Sequence, residues 1–122
     1  MRRRILVVDD VEPQRELCAR ELRDEGYDVD VAVSGEEAVE LLRVAEPDLV
    51  VLDMRLPGMS GLEALGRMLH SHPGLPVIIN SAYGSYKDSF MAWAATAYVV
   101  KSGDTTELKE AVRRILAERR TA

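Results

Sequence analysis

The sequence is poor in cysteine and has no long apolar run. Its single cysteine, Cys18, excludes an internal disulfide, and its place in a helical apolar pattern predicts a buried, inert thiol. No apolar run approaches the roughly 20 residues that a membrane-spanning helix needs. The first residues also lack the core and cleavage site of a signal peptide. We therefore expect a cytoplasmic protein without membrane insertion.

Positive charge is in the minority, since 16 Lys and Arg stand against 21 Asp and Glu, for a net charge of -5. This balance argues against binding of nucleic acid by the whole surface. The basic clusters at residues 2–4 and 113–120 are short, as is typical of solvated charge at the ends of helices and strands. We expect no direct contact with nucleic acid.

The length of 122 residues is enough for one core and too short for two. Apolar runs alternate with helical periodicity, without a linker or repeat, so residues 1–122 are expected to form a single domain. The predicted strands are residues 5–8, 27–33, 49–52, 76–79 and 97–100. The alternation predicts an α/β fold with a doubly wound, five-stranded parallel sheet. Polar and apolar residues alternate in 27–33, as in an edge strand, which favours the order 2-1-3-4-5.

The predicted helices are marked by their starts and ends. Residues 13–26 begin with Pro13 and end at a glycine, and residues 84–94 also have a helical pattern. Three further helices are predicted by capping-box sequences. In these the first side chain caps the helix, and a Glu three residues later bonds back to the backbone N–H of the capping residue. These sequences are Ser34–Glu37, Ser60–Glu63 and Asp104–Glu107.

Polar residues follow four of the five predicted strands. Asp9 and Asp10 follow the first strand, Asp53 the third, Ser81 the fourth and Lys101 the fifth. In a parallel sheet these positions converge on one edge, where ligands of such sheets bind. The sequence therefore predicts a pocket with three carboxylates, a hydroxyl and an ammonium.

Three clustered carboxylates need a cation, because two negative charges about 4 Å apart repel by roughly 4 kcal/mol at an effective dielectric near 20. All-oxygen ligation favours a hard ion, and we expect Mg²⁺, which often shares its ligand shell with a phosphate. A carboxylate can also act as a nucleophile and become an aspartyl phosphate. Lys101 and Ser81 could then contact the phosphoryl oxygens.

Over nearly its whole length the sequence resembles the receiver domain of two-component response regulators. The segments that carry the resemblance are "ILVVDD", "DLVVLDMRLPGMSGLEAL", "VIINSA" and "AYVVK". The resemblance implies a flavodoxin-like receiver fold with the same strand order. It also implies that Asp53 is the phosphoacceptor, that Asp10 ligates Mg²⁺ directly and Asp9 mostly through water, and that Lys101 contacts the phosphoryl group. The backbone carbonyl of Arg55 would complete the protein ligands of the metal.

The resemblance further implies a switch and partners. Ser81 matches the hydroxyl that moves on phosphorylation, and Tyr98 matches the aromatic residue that then changes rotamer. The donor would be a phosphohistidine on a sensor histidine kinase or a histidine phosphotransfer protein, and the output a downstream protein target. A homodimer through the last helix is compatible with the sequence.

The sequence departs from the family between residues 81 and 102. Ser102 replaces a proline, and because a cis bond before a non-proline residue costs ~2.5–4 kcal/mol, we expect a trans Lys101–Ser102 bond. The stretch from Ser81 to Lys101 is also slightly shorter than the same stretch usually is in this family. Four aromatic residues that recur at helical spacing within it could fill the core or form an exposed surface for a partner: Tyr83, Tyr86, Phe90 and Trp93.

Three functions compete. The first is a phosphorylation-controlled module that is not a turnover enzyme. The second, an aspartate-nucleophile phosphatase, is disfavoured because Asp53 lacks a second acid two residues later and the chain is too short for a cap. The third is a receiver fold that binds a partner without phosphorylation, and it is the main alternative. Only "AERRTA" follows Leu116, as in a stand-alone receiver or a receiver cut from a longer regulator.

Overall fold

The computed structural model describes residues 2–82 and 94–120. The strands are β1 (Arg4–Val8), β2 (Asp28–Ala32), β3 (Leu49–Leu52), β4 (Val77–Ser81) and β5 (Ala97–Val100). The helices are α1 (Glu12–Asp24), α2 (Gly35–Val44), α3 (Gly61–Ser71) and α4 (Thr106–Arg120). Residues 84–93 of the helix predicted at 84–94 lie outside the described residues, and so do the four aromatic residues Tyr83, Tyr86, Phe90 and Trp93.

The five strands form one parallel sheet in the order β2-β1-β3-β4-β5, which confirms the predicted order. β1 lies between β2 and β3, and its Ile5 pairs with Val29 of β2 and Leu49 of β3. β2 lies at the edge, where the exposed Asp28 and Asp30 flank the buried Val29. The alternation of β2 therefore reflects its edge position.

The sheet is covered on both faces by apolar clusters. Alternate residues of β1 point to opposite faces, so Ile5 and Val7 join one cluster while Leu6 and Val8 join the other. The first cluster includes residues of α1 and α4, and the second includes residues of α2 and α3. Burial on both faces explains why β1 and β3 are continuous apolar runs. None of the described helices is long and apolar enough to cross a membrane.

Cys18 is buried in the first of these clusters, as predicted. Burial, with a smaller contribution from the negative charge of Asp9, raises the pKa of its thiol to about 12. The thiol is therefore protonated at neutral pH, in agreement with an inert core residue.

The serine half of two predicted capping boxes is confirmed. The Ser34 and Ser60 hydroxyls accept hydrogen bonds from the backbone N–H of Glu37 and Glu63, each at 3.1 Å. In a full capping box each glutamate would also accept from the backbone N–H of its capping serine. Here Glu37 accepts instead from Val33 N–H, and Glu63 binds Arg67.

The third predicted box is wrong. Asp104 accepts from the backbone N–H of Thr106 at 2.9 Å, two residues later rather than three. The Thr106 hydroxyl also binds the same carboxylate oxygen, at 2.6 Å. α4 consequently begins at Thr106, after a turn that the side chain of Asp104 closes.

Candidate functional site

The four charged residues predicted for the site meet at the carboxyl edge of the sheet. Val8 of β1 pairs with Leu52 of β3, so Asp9 and Asp53 follow neighbouring strand ends. The ladder continues one residue further, because Asp53 N–H donates to the Val8 carbonyl at 3.0 Å. Lys101 follows β5, which β3 and β4 separate from β1, and its long side chain reaches back to both acids.

Three carboxylates form a cluster that could hold a metal ion. One oxygen each of Asp9, Asp10 and Asp53 lies within 4.8 Å of the others. Asp9 and Asp53 are buried and Asp10 is exposed, beside an open hollow of about 420 Å³ that Arg55 also lines. With the Lys101 ammonium, the cluster carries a net charge of about -2, which one divalent cation would balance. The all-oxygen donor set fits Mg²⁺.

Lys101 links the two buried acids. Its Nζ donates to Asp9 Oδ2 at 2.6 Å and to Asp53 Oδ2 at 3.0 Å. Burial favours a lower pKa for Lys101, but the hydrogen bonds to Asp9 and Asp53 outweigh burial and raise its pKa above the ordinary value. Lys101 is therefore a fixed positive charge at neutral pH.

Asp53 lies in a less favourable environment for its charge. It is 7% exposed, and burial is the largest influence that raises its pKa above the ordinary value. The neighbouring charge of Asp9 also raises the pKa, while hydrogen bonds from Lys101 and from the Arg55 backbone N–H (3.3 Å) lower it. A buried carboxylate with two donors is held in one orientation, as a nucleophile requires.

The backbone around Asp9 is fixed by two contacts. Asp9 Oδ1 accepts from Val11 N–H at 2.9 Å, and its carbonyl oxygen accepts from an Arg15 guanidinium nitrogen at 3.2 Å. Arg15 extends from α1, so this helix positions the loop that carries the two adjacent acids.

Ser81 and Tyr98 lie on neighbouring strands. Ser81 is fully buried at the end of β4 and pairs with Val100 of β5, two residues after Tyr98. Because side chains two apart on a strand share a face, Ser81 and Tyr98 point to the same side of the sheet. Tyr98 is half-buried there, against the cluster of α2 and α3. The structure thus brings the predicted switch residues to one face, and their role stays a prediction.

The bond that follows Lys101 is trans, since none of the peptide bonds in the described residues is cis. This confirms the expectation for the Lys101–Ser102 bond. The Lys101 backbone N–H donates to the Ser81 carbonyl at 2.7 Å and extends the ladder between β4 and β5.

The family model for the response regulator receiver domain matches residues 5–113 of this sequence. The chain belongs to this family. It is 37% identical over 114 residues to the probable transcriptional regulatory protein TcrX of Mycobacterium tuberculosis, covering 92% of this chain and 49% of TcrX. It is 38% identical over 115 residues to the DNA-binding response regulator MtrA of Mycolicibacterium smegmatis, covering 93% of this chain and 50% of MtrA. The receiver domain therefore spans about half the length of these relatives.

Solved structures give the same fold. The response regulator TrrA of Thermotoga maritima, in complex with Mg²⁺-BeF, is 45% identical with a TM-score of 0.90, covering 93% of this chain and 98% of that one. TrrA in complex with the histidine kinase ThkA has a TM-score of 0.88 at 45% identity, covering 95% of this chain and 99% of that one. A CheY-like receiver domain of Methanospirillum hungatei has a TM-score of 0.93 at 28% identity, covering 99% and 98% of the two chains.

The sequence analysis of this receiver missed one residue of the site. The Gln14 amide oxygen accepts from Lys101 Nζ at 2.7 Å. The two residues are 87 positions apart, and the contact depends on how α1 lies against the edge of the sheet. No local pattern could have indicated it.

Proposed function

We propose that this receiver domain accepts a phosphoryl group on Asp53 in a Mg²⁺-dependent reaction and thereby switches a protein-binding surface. The observation that carries the proposal is the cluster of three carboxylates within 4.8 Å, with Lys101 Nζ 3.0 Å from Asp53 Oδ2. A metal site, a nucleophile and a fixed cation are together the requirements of phosphoryl transfer to a carboxylate.

In the proposed reaction an Asp53 carboxylate oxygen attacks the phosphorus of a phosphohistidine. A P–O bond to Asp53 forms as the P–N bond breaks and the ring nitrogen takes the electron pair of that bond. The donor ring carries a proton on its other nitrogen, so it leaves as neutral imidazole. Asp9, Asp10, Asp53 and the Arg55 carbonyl would hold Mg²⁺, which supplies positive charge at the phosphoryl oxygens. Lys101 offers an ammonium to the same oxygens, and the Ser81 hydroxyl offers a hydrogen bond. Hydrolysis would return Asp53 to its carboxylate form, so the domain acts as a switch rather than a turnover enzyme.

The switch would connect Ser81 with Tyr98. Their common face of the sheet supports this coupling, because a Ser81 side chain drawn toward a phosphoryl group leaves space on the side where Tyr98 lies. Movement of Tyr98 would change the surface around β5 and α4 and bias the equilibrium between two surface states.

The donor is proposed to be a sensor histidine kinase or a histidine phosphotransfer protein. The similarity to TrrA, which has been solved in complex with the histidine kinase ThkA, supports this class of partner. The output is proposed to be a protein contact made in the cytoplasm. Absence of direct nucleic-acid contact stays a prediction for these residues, since MtrA is a DNA-binding response regulator and the chain covers half of it.

The test is the intact mass of the protein after incubation with acetyl phosphate and Mg²⁺. We expect a gain of one phosphoryl group in the wild type, and no gain without Mg²⁺ or in Asp53→Ala. Asp28→Ala, which removes an exposed acid at the start of β2, away from the carboxyl ends of the strands, is the matched control and should gain the group normally. If purified histidine kinase and acetyl phosphate both fail to label the wild type, the proposal is overturned in favour of a phosphorylation-independent binding module.

A further inference from the structure

The ammonium of Lys101 has three N–H donors and three acceptors. Two acceptors are the carboxylates of Asp9 and Asp53, at 2.6 and 3.0 Å from Nζ. The third is the amide oxygen of Gln14, at 2.7 Å. Gln14 is the uncharged one of these three hydrogen-bond acceptors. It belongs neither to the proposed metal site nor to the proposed phosphoacceptor.

Gln14 is held at the start of α1, close to the acids. It follows Pro13, whose ring restricts the backbone of the first helical turn. Gln14 lies in the first turn of the helix, which is formed by the hydrogen bond from Arg15 N–H to the Val11 carbonyl, at 2.9 Å. Only three residues separate Gln14 from Asp10, so one short rigid segment places both its amide and the two acids.

Packing alone does not fix the end of the Lys101 side chain. A cavity of about 330 Å³ lies between α1 and the loop from β5 to α4, and Lys101 lines it together with Leu17, Ser102 and Leu108. An unbranched lysine side chain beside open space retains rotamer freedom unless its charged end is held. The hydrogen bonds of Nζ therefore determine where the ammonium lies.

The three acceptors differ in what phosphorylation does to them. The Asp53 carboxylate is consumed when it becomes an acyl phosphate, and Asp9 is shared with the proposed metal. Gln14 keeps its amide oxygen through every step. We propose that Gln14 is a positioning residue that holds the Lys101 ammonium beside Asp53 before and after phosphorylation. This inference builds on the proposed function, but the contact itself can be tested independently of it.

The experiment compares Gln14→Met, which has a similar length and no amide oxygen, with Gln14→Glu, which retains an acceptor. Glu16→Met is the control for an apolar substitution on the exposed side of the same helix. The first readout is the lysine ammonium signal in ¹H–¹⁵N NMR spectra with Mg²⁺ present, assigned by Lys→Arg substitution of the other two lysines. The second is the rate of phosphorylation by acetyl phosphate, followed by intact mass.

We expect the Lys101 ammonium signal in the wild type, Gln14→Glu and Glu16→Met, and its loss through faster proton exchange in Gln14→Met. The phosphorylation rate should fall roughly three- to tenfold in Gln14→Met, as for loss of one hydrogen bond, and stay within about twofold in Gln14→Glu. An unchanged signal and rate in Gln14→Met would overturn the inference, and so would an equal loss in Glu16→Met. If the wild type is not phosphorylated but the signal still depends on Gln14, the contact stands and the proposed function fails.

Discussion

Asp53 has to be charged to act as a nucleophile, yet it is almost fully buried. Burial and the charge of Asp9 together raise its pKa, which means that the folded protein binds the Asp53 proton more tightly than the unfolded chain does. A raised pKa in the folded state contributes stability below the ordinary pKa of 3.8, and this contribution is lost as the pH rises through the folded-state value. At neutral pH the charge of Asp53 therefore lowers the free energy of unfolding.

Asp53→Asn should therefore stabilise the domain in metal-free buffer at pH 7. The amide has nearly the same shape and no charge to desolvate, and it also relieves the repulsion from Asp9. The advantage over the wild type should shrink as the pH falls through the folded-state pKa toward 3.8, below which Asp53 is protonated in both the folded and the unfolded chain. Urea unfolding of both proteins at a series of pH values measures the difference. A variant less stable than the wild type at pH 7 would show that the Lys101 contact outweighs burial.

Lys101→Met should destabilise the metal-free domain by up to about 3 kcal/mol, because two buried carboxylates lose their shared cation. Mg²⁺ should restore part of this loss, since it supplies positive charge to the same carboxylates. Lys109→Met is the matched control. Lys109 pairs with Glu21 at 3.1 Å where both side chains are partly exposed, and its loss should cost under about 1 kcal/mol. Equal losses in the two variants, or no recovery with Mg²⁺, would contradict the role of Lys101 as counter-charge.

The start of α3 lies directly against the backbone that carries Asp53. Gly61 N–H donates to the Met54 carbonyl at 3.0 Å. A Cβ atom at Gly61 would lie 2.5 Å from Met54 Cα and would also overlap the Asp53 carbonyl oxygen. These are backbone atoms that cannot rotate away, so the glycine allows α3 to pack against the backbone of Asp53 and Met54.

Gly61→Ala should lower the free energy of unfolding by about 1–3 kcal/mol, the usual cost of overpacking. It should also slow phosphorylation, because the loop that orients Asp53 has to move. Gly103→Ala is the control, since a Cβ atom there would have nothing within 4 Å. Denaturant unfolding and the acetyl phosphate assay test both effects. A Gly61→Ala protein as stable and as reactive as Gly103→Ala would show that the loop adapts without cost.

The elements that were predicted correctly depend on short-range patterns. β1 and β3 were recognised from apolar runs buried on both faces, and the edge position of β2 from its alternation. The Ser34 and Ser60 caps were found because a cap joins residues three apart. The return contacts of the two glutamates differ from the prediction, because Glu37 accepts from Val33 N–H and Glu63 pairs with Arg67.

The site was predicted as far as strand ends determine it. Asp9, Asp53 and Lys101 converge because parallel strands end at one edge, and the sequence alone shows which residues follow each strand. Gln14 and Gly61 escaped prediction for a different reason. Their contacts depend on where a helix lies against the sheet, and residue type and spacing do not specify the position of the helix.

The distribution of charge in the whole domain predicts that its stability depends on divalent metal ions. The net charge is -5, and about two of these negative charges are concentrated in the site at one edge of the sheet. Repulsion between Asp53 and the adjacent acids Asp9 and Asp10 is present only in the folded chain, because unfolding separates residue 53 from residues 9 and 10. A cation that binds the folded site therefore stabilises it by mass action.

Mg²⁺ should raise the melting temperature of the wild type. The free energy of unfolding should rise by about 2.7 kcal/mol when the Mg²⁺ concentration is a hundredfold above the dissociation constant. Asp10→Asn should abolish most of this gain, because it removes one of the three carboxylates, and its exposed position leaves the core intact. Asp30→Asn, an exposed acid on β2, should keep the gain. Thermal unfolding with Mg²⁺, and with added NaCl of equal ionic strength, separates site binding from general screening. If Asp10→Asn and the wild type gain equally, or if NaCl reproduces the gain, the three carboxylates do not form a Mg²⁺ site.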